Sequence, residues 1–118
     1  MGNQFELPEE KAWWYLRWIY YGDESMRKHV EYREHFINNN LKNPKFHNFI
    51  TYDQAKEIAS SHRNKVVVFL SDTNPGNITI IKIKRNGQHF IKLHNIQSKK
   101  SLEDIVHTYM DGKLVSFS

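Results

Sequence analysis

The pattern of apolar and polar positions is most strand-like at Val66 to Leu70 and at Ile78 to Ile83. Both runs are rich in β-branched residues and carry apolar side chains on both faces, so each predicts a strand covered on both sides. The polar stretch between them holds Asn74-Pro75-Gly76, where proline presets its φ and glycine accepts φ > 0 at little cost, so it predicts a tight turn. A second turn signal, Asn86-Gly87, is followed by the alternating His89-Phe90-Ile91-Lys92-Leu93. Together these runs predict a three-strand antiparallel meander with Val66 to Ile83 as its central hairpin.

Helical spacing brackets the meander. Thr51-x-x-Gln54 has the form of a capping box, and Ala55, Ile58 and Ala59 follow at the spacing of one buried face. Ser101-Leu102-Glu103-Asp104 is a second box-like start; Leu102, Ile105, Val106 and Tyr109 lie at offsets 0, 3, 4 and 7, and the helix ends near Gly112. Phe46 to Ile50 is a short apolar start, and Leu114-Val115-Ser116-Phe117 is strand-like. Upstream, Met1 to Leu7 reads as a loose end. Pro8-Glu9-Glu10 is good first-turn chemistry for a helix running to about Tyr21. Gly22-Asp23 stops it, and Asp23 or Ser25 caps a second helix to about Ile37, with Met26, Val30, Phe36 and Ile37 as its apolar positions. Asn38 to Asn40 and Lys42-Asn43-Pro44 form a polar connector. The expected organisation is a helical hairpin extension over residues 1–44 and an α+β domain over 45–118, a small antiparallel sheet flanked by two helices. Trp13, Trp14, Tyr15, Trp18, Tyr20 and Tyr21 are too many aromatics for one stripe. Either the first helix is sandwiched between the second helix and the sheet, or it presents an exposed aromatic docking surface.

Composition narrows the classes. A chain of 118 residues with 39% hydrophobic content fits one compact domain. The absence of cysteine removes disulfides and thiolate metal sites and fits a reducing, cytoplasmic setting. Ala12 to Tyr21, interrupted by Arg17, falls short of the roughly 20 residues of a membrane span, and no signal peptide precedes it. His29 and His35 are six apart and do not share a helical face. His89 and His94, five apart, point to opposite faces of a strand, so neither pair suggests a metal. Ser71, His89 and Asp72 lack a nucleophile-elbow pattern, no glycine-rich phosphate loop is present, and no cofactor is implied. The expectation is therefore a binding module and not an enzyme. The net charge of +4 favours anionic partners. Lys82, Lys84, Arg85, Lys92, Lys99 and Lys100 form a basic stripe beside aromatics, which makes nucleic acid the alternative partner.

Several of these segments, taken in order, resemble the Src homology 2 domain, the phosphotyrosine-peptide recognition module. Phe46-His47-Asn48-Phe49-Ile50-Thr51 with Ala55-Lys56 is similar to the family's opening. Thr73-Asn74-Pro75-Gly76-Asn77-Ile78-Thr79 resembles its Ser-Asn-Pro-Gly-Asp-Phe-Thr turn. Arg85-Asn86-Gly87 with Ile91-Lys92-Leu93 resembles the next hairpin, and Ser101-Leu102-Glu103-Asp104-Ile105-Val106 with Tyr109 resembles its Ser-Leu-x-Glu-Leu-Val-x-x-Tyr helix. The similarity runs from Phe46 to Phe117. It implies a protein or (phospho)tyrosine-peptide partner and, for a bacterial protein, action in a host cytoplasm.

The resemblance also implies a pocket, and this chain departs from it there. The family grips phosphotyrosine with an arginine, whose planar guanidinium pairs with two phosphate oxygens. Ungapped alignment from Pro75-Gly76 puts Phe69 at that position. The family's facing histidine falls at Phe90 and the arginine of its first helix at Tyr52. Lys92 keeps a basic side chain, Ser71 and Thr73 keep loop hydroxyls, and Asp72 adds a charge of the wrong sign. By period-2 alternation Phe69, Phe90 and Lys92 are expected to share a face, giving an apolar pocket in which an aromatic ligand side chain sits beside Lys92. Lys82, Lys84 or Arg63 would be the substitutes for the missing arginine. The segment from Asn95 to Ser101 is shorter than in typical members, so loops that select residues beyond the phosphotyrosine are expected to be missing.

Overall fold

The elements of the computed structural model, which describes residues 11–116, are, in chain order, α1 (Ala12–Ile19), α2 (Glu24–Arg27), α3 (Val30–Asn40), β1 (Phe46–Phe49), α4 (Tyr52–Ser61), β2 (Val66–Leu70), β3 (Asn77–Ile83), β4 (His89–Asn95) and α5 (Leu102–Tyr109). The loose end from Met1 to Leu7, the helix start at Pro8-Glu9-Glu10 and the strand-like Phe117 lie outside the described residues. The fold is α+β, a sheet with α4 on one face and α5 on the other.

Two turns of different chemistry build the meander. After β2, the Asn77 N–H donates to the Asn74 carbonyl at 3.3 Å, with Pro75 second and Gly76 third in the turn at φ +86°, the order of a type II turn. After β3, Lys84 N–H donates to Gln88 O at 2.9 Å and Gly87 N–H to Lys84 O at 2.9 Å, with Gly87 at φ +89°. That is a three-residue loop closed by a glycine bulge. β2–β3 and β3–β4 pair antiparallel as the pattern predicts. The sheet is nevertheless mixed and four-stranded, in the order β1-β2-β3-β4, because β1 runs parallel to β2 with α4 as the crossover. The β1 register slips between Phe46 and Phe49, where Asn48 takes φ 56°, a left-handed conformation that asparagine tolerates.

Alternation along β2 divides the core in two. Val66, Val68 and Leu70, with Ile78 and Ile80, pack with Phe46, Leu102, Ile105 and Val106 and with Tyr15, Trp18, Phe36 and Ile37 of the N-terminal helices. Val67 and Phe69, with Ile81 and Ile83, pack on Ala55, Ala59 and Val115. The alanines let α4 approach closely. Thr51 and Gln54 close the predicted capping box, Thr51 N–H to Gln54 Oε1 at 2.9 Å and Gln54 N–H to Thr51 Oγ1 at 3.0 Å. Ser101 caps α5 through Asp104 N–H at 3.1 Å. Beyond α5, Leu114 makes a single parallel bridge to Val66.

The helical hairpin differs from expectation in two ways. Its second arm is broken into α2 and α3, and α3 runs on through the asparagines to Asn40, because Asn40 Nδ2 donates to Phe36 O at 2.8 Å and Leu41 N–H to Ile37 O at 3.0 Å. Of the two arrangements expected for α1 the sandwich is not formed, since among the described residues it is covered on one face. Tyr15, Trp18 and Ile19, at i, i+3 and i+4, form a single buried stripe, whereas Trp13 is 72% exposed and Trp14, Leu16, Tyr20 and Tyr21 are also exposed. Two polar tips anchor the stripe. Tyr15 OH donates to Asn48 Oδ1 at 2.7 Å, and Trp18 Nε1 to Asn77 O at 2.8 Å. Burial pushes the Tyr15 phenol up to about 12.

Candidate functional site

Phe69 is fully buried at 0% exposure, facing α4 and directly opposite Thr79. Thr79 in turn pairs with Leu93, whereas Lys92 pairs with Ile80 and Phe90 with Lys82. Opposed residues of an antiparallel ladder share a face. Leu93 therefore lies on the Phe69 face, while Phe90 and Lys92 lie on the α5 face. The expected joint pocket of Phe69, Phe90 and Lys92 is not formed, because counting by two across β3 puts Lys92 one residue out of step with Phe69. Thr79 Oγ1, buried beside Phe69, has no hydrogen-bond partner.

On the α5 face Lys92 places its ammonium 5.1 Å from the centroid of the Tyr109 ring, and the Tyr109 hydroxyl shares a 2.5 Å hydrogen bond with His94 Nδ1. Burial, and secondarily the charge of Lys100, hold His94 below the usual histidine range. Phe90 carries Lys84 over its ring at 5.0 Å.

The remaining predicted positions are scattered. Ser71 is buried and its Oγ lies 2.7 Å from Thr73 Oγ1, so the two loop hydroxyls partner each other. Tyr52 is exposed at the start of α4 with Lys56 5.4 Å from its ring centroid. Arg63 Nη1 donates to Arg85 O at 3.1 Å, and Lys82 Nζ to Asp111 O at 2.5 Å. These cations, with Lys84, sit toward the end of the sheet away from Ser71 and Thr73; Lys82, paired with Val66 on the other face, is three residues along β3 from the Thr79 that opposes Phe69, about 10 Å for a strand rising ~3.3 Å per residue. They are not placed to replace an arginine at Phe69. At the Ser71 end, Asp72 instead borders a cavity of about 250 Å³ shared with Lys11, Trp14, Phe49, Ile50, Thr51 and Gln54. Among the described residues no group of three His, Asp or Glu side chains is arranged to hold a metal, and no helix is long and apolar enough to cross a membrane.

Two features escaped the sequence reading. Arg33 is fully buried and donates from Nη1 to Ile19 O at 2.9 Å and Tyr21 O at 2.8 Å, capping the carbonyl end of α1 where a cation is favoured. Burial pulls its pKa down. Its place on the apolar stripe of α3, between Val30 and Ile37, was the available signal. The second is the free edge of the sheet. Among the described residues β4 pairs only with β3, and no residue from His89 to Asn95 is buried. Ile91, Leu93 and Phe90 are 47%, 43% and 37% exposed. The Lys84–Gln88 pair is hydrogen-bonded, so alternation along the ladder turns the backbone N–H and C=O of His89, Ile91 and Leu93 toward the free edge.

No protein-family model matches the chain, and no curated protein does. Among solved structures, an inactive choanoflagellate E3 ubiquitin ligase Cbl TKB is similar at 24% identity and a TM-score of 0.46. The match covers 82% of this chain, which spans about a third, 31%, of that one.

Proposed function

We propose that this chain is a protein-interaction module that takes an extended peptide along its β4 side, with the phosphotyrosine grip implied by the resemblance altered or lost. The observation that carries this reading is β4 itself, a seven-residue edge strand bearing exposed Phe90, Ile91 and Leu93 around Lys92. Proteins normally blunt such edges, and here Lys92 interrupts the edge while the exposed apolar side chains on both sides of it offer a surface to a partner. The dry environment of Phe69 supports loss of the ordinary grip, since a phosphate would have to be desolvated there without a guanidinium. On this reading Lys92 is the cation that meets any acidic or phosphorylated ligand, with Phe90 beside it. Tyr52, Ser71 and Thr73 have at most a peripheral role.

The test is titration of the full chain with a phosphotyrosine peptide, its unphosphorylated form and a short oligonucleotide. Affinities for the two peptides within about tenfold of each other are the expected result. Strong preference for the phosphorylated form would reinstate ordinary recognition. The six cations between Lys82 and Lys100 favour nucleic acid as the second reading. Oligonucleotide binding that falls steeply with salt, as counterion release requires, would establish it.

A further inference from the structure

We infer that β4 is extended by an added strand, a segment of a partner protein in which apolar residues alternate with acidic ones, hydrogen-bonded along the free edge of β4. This rests on the peptide-binding reading above and specifies its geometry. Three observations converge on it.

The first is the backbone. The outward N–H and C=O groups of His89, Ile91 and Leu93 form a row that β3 does not use. Main-chain pairing of this kind supplies affinity whatever the partner's side chains.

The second is the pattern of side chains. Residues of an added strand alternate between the two faces. On the α4 face they meet Ile91 and Leu93, two half-exposed aliphatic side chains. On the α5 face they meet Phe90 and Lys92, with His94 next along the strand. An apolar residue suits the first face and a carboxylate the second.

The third is charge. Residues 82–100 contain Lys82, Lys84, Arg85, Lys92, Lys99 and Lys100 and no Asp or Glu. That bias draws an acidic segment and opposes pairing of β4 with β4 of a second copy, which would set like charges side by side.

The test uses the full chain and an end-capped peptide alternating valine and glutamate, followed by fluorescence anisotropy. A single central residue is N-methylated, either a valine or a glutamate. In an added strand only one alternate set of N–H groups points at β4. Methylation in one set should therefore weaken binding at least tenfold while methylation in the other changes it less than threefold. The valine set is the sensitive one for antiparallel addition and the glutamate set for parallel. Lys92→Glu should also weaken binding at least tenfold, with the far-ultraviolet circular dichroism unchanged. Equal tolerance, or equal loss, at both methylation positions overturns strand addition while leaving peptide binding intact. Self-association of the chain that the peptide does not displace overturns it in favour of a second copy. Stronger competition by an oligonucleotide than by the peptide overturns it in favour of nucleic acid. Failure of every peptide, phosphorylated, unphosphorylated or alternating, removes the peptide-binding reading as well.

Discussion

β2 and β4 belong to one sheet, yet every residue of β2 is buried and none of β4 is. β2 has a strand on each side and packed helices on both faces, whereas among the described residues β4 has one neighbour and an open edge. Composition and place in the sheet thus agree, Val-Val-Val-Phe-Leu lying at the covered centre and the mixed His-Phe-Ile-Lys-Leu-His-Asn at the edge. The difference bears directly on function. The position that the resemblance assigns to a phosphate-gripping arginine is on β2, at Phe69, in the drier of the two environments. On the proposed reading, the residues that meet a ligand are on β4.

The largest effect that tests this contrast comes from uncovering β2. We propose that the helical extension, residues 1–44, is needed by the sheet domain, because Tyr15, Trp18, Phe36 and Ile37 share a core with Val66, Val68 and Leu70. Deleting residues 1–42 is expected to give an aggregating product. A soluble fragment with an unchanged melting temperature would show that the sheet covers itself.

Next in size is a charge placed on each strand. Phe69→Arg removes a buried ring, worth about 3–5 kcal/mol in large-to-small substitutions, and adds a guanidinium among Val67, Ile81, Ala55 and Ala59. Denaturant unfolding should report a loss of at least that order, with no gain of phosphotyrosine binding. Phe90→Arg on β4 should cost no more than about 0.5 kcal/mol, the usual range for a surface position. Similar losses at both positions would erase the distinction between the strands.

These contrasts also mark what was legible in the sequence. The meander, both flanking helices and the Thr51–Gln54 box were readable because local signals and periodicity agreed. β1 was not, since four residues with an irregular register carry too little pattern to announce a parallel pairing. The break between α2 and α3 had no proline or glycine to mark it. The pocket reading failed on register. Alternation says which residues of one strand share a face, but relating Phe69 on β2 to Lys92 on β4 requires the exact pairing through β3, and one residue of offset reverses the answer. Arg33 was missed because arginine on an apolar stripe is ordinarily taken for an interruption, when here the carbonyl end of α1 supplies its acceptors.

A smaller effect separates a specific contact from diffuse charge. With an acidic or phosphorylated peptide, Lys92→Ala should cost about 1.5 kcal/mol of binding, as loss of one charge-assisted contact predicts. Lys99→Ala should cost little, because Lys99 lies off the strand and faces Glu31 at 3.9 Å. Equal losses measured by isothermal titration would indicate that the cations act only through their summed field.

The smallest effect is a dependence on acid that β4 has and β2 lacks, since Val66 to Leu70 contains no titratable side chain. His94 is held below its ordinary range by burial and by Lys100. In the unfolded chain it titrates near the reference value of about 6.5. Between its lowered folded pKa and about 6.5 the unfolded state therefore binds more protons than the folded state, so stability rises with pH in that window. The contribution is fully present above about pH 6.5 and is lost as pH falls through the folded value. Melting temperatures compared at pH 7.5 and pH 5 should show a small acid-induced drop in the parent chain and a reduced drop in His94→Gln. That variant removes the titration, and with it the Tyr109 partner, so its absolute stability is expected to fall while its slope with pH flattens. An identical slope in both chains would mean that His94 is as readily protonated in the folded edge as in the unfolded chain, and that the α5 side of β4 is as wet as its exposed strand residues.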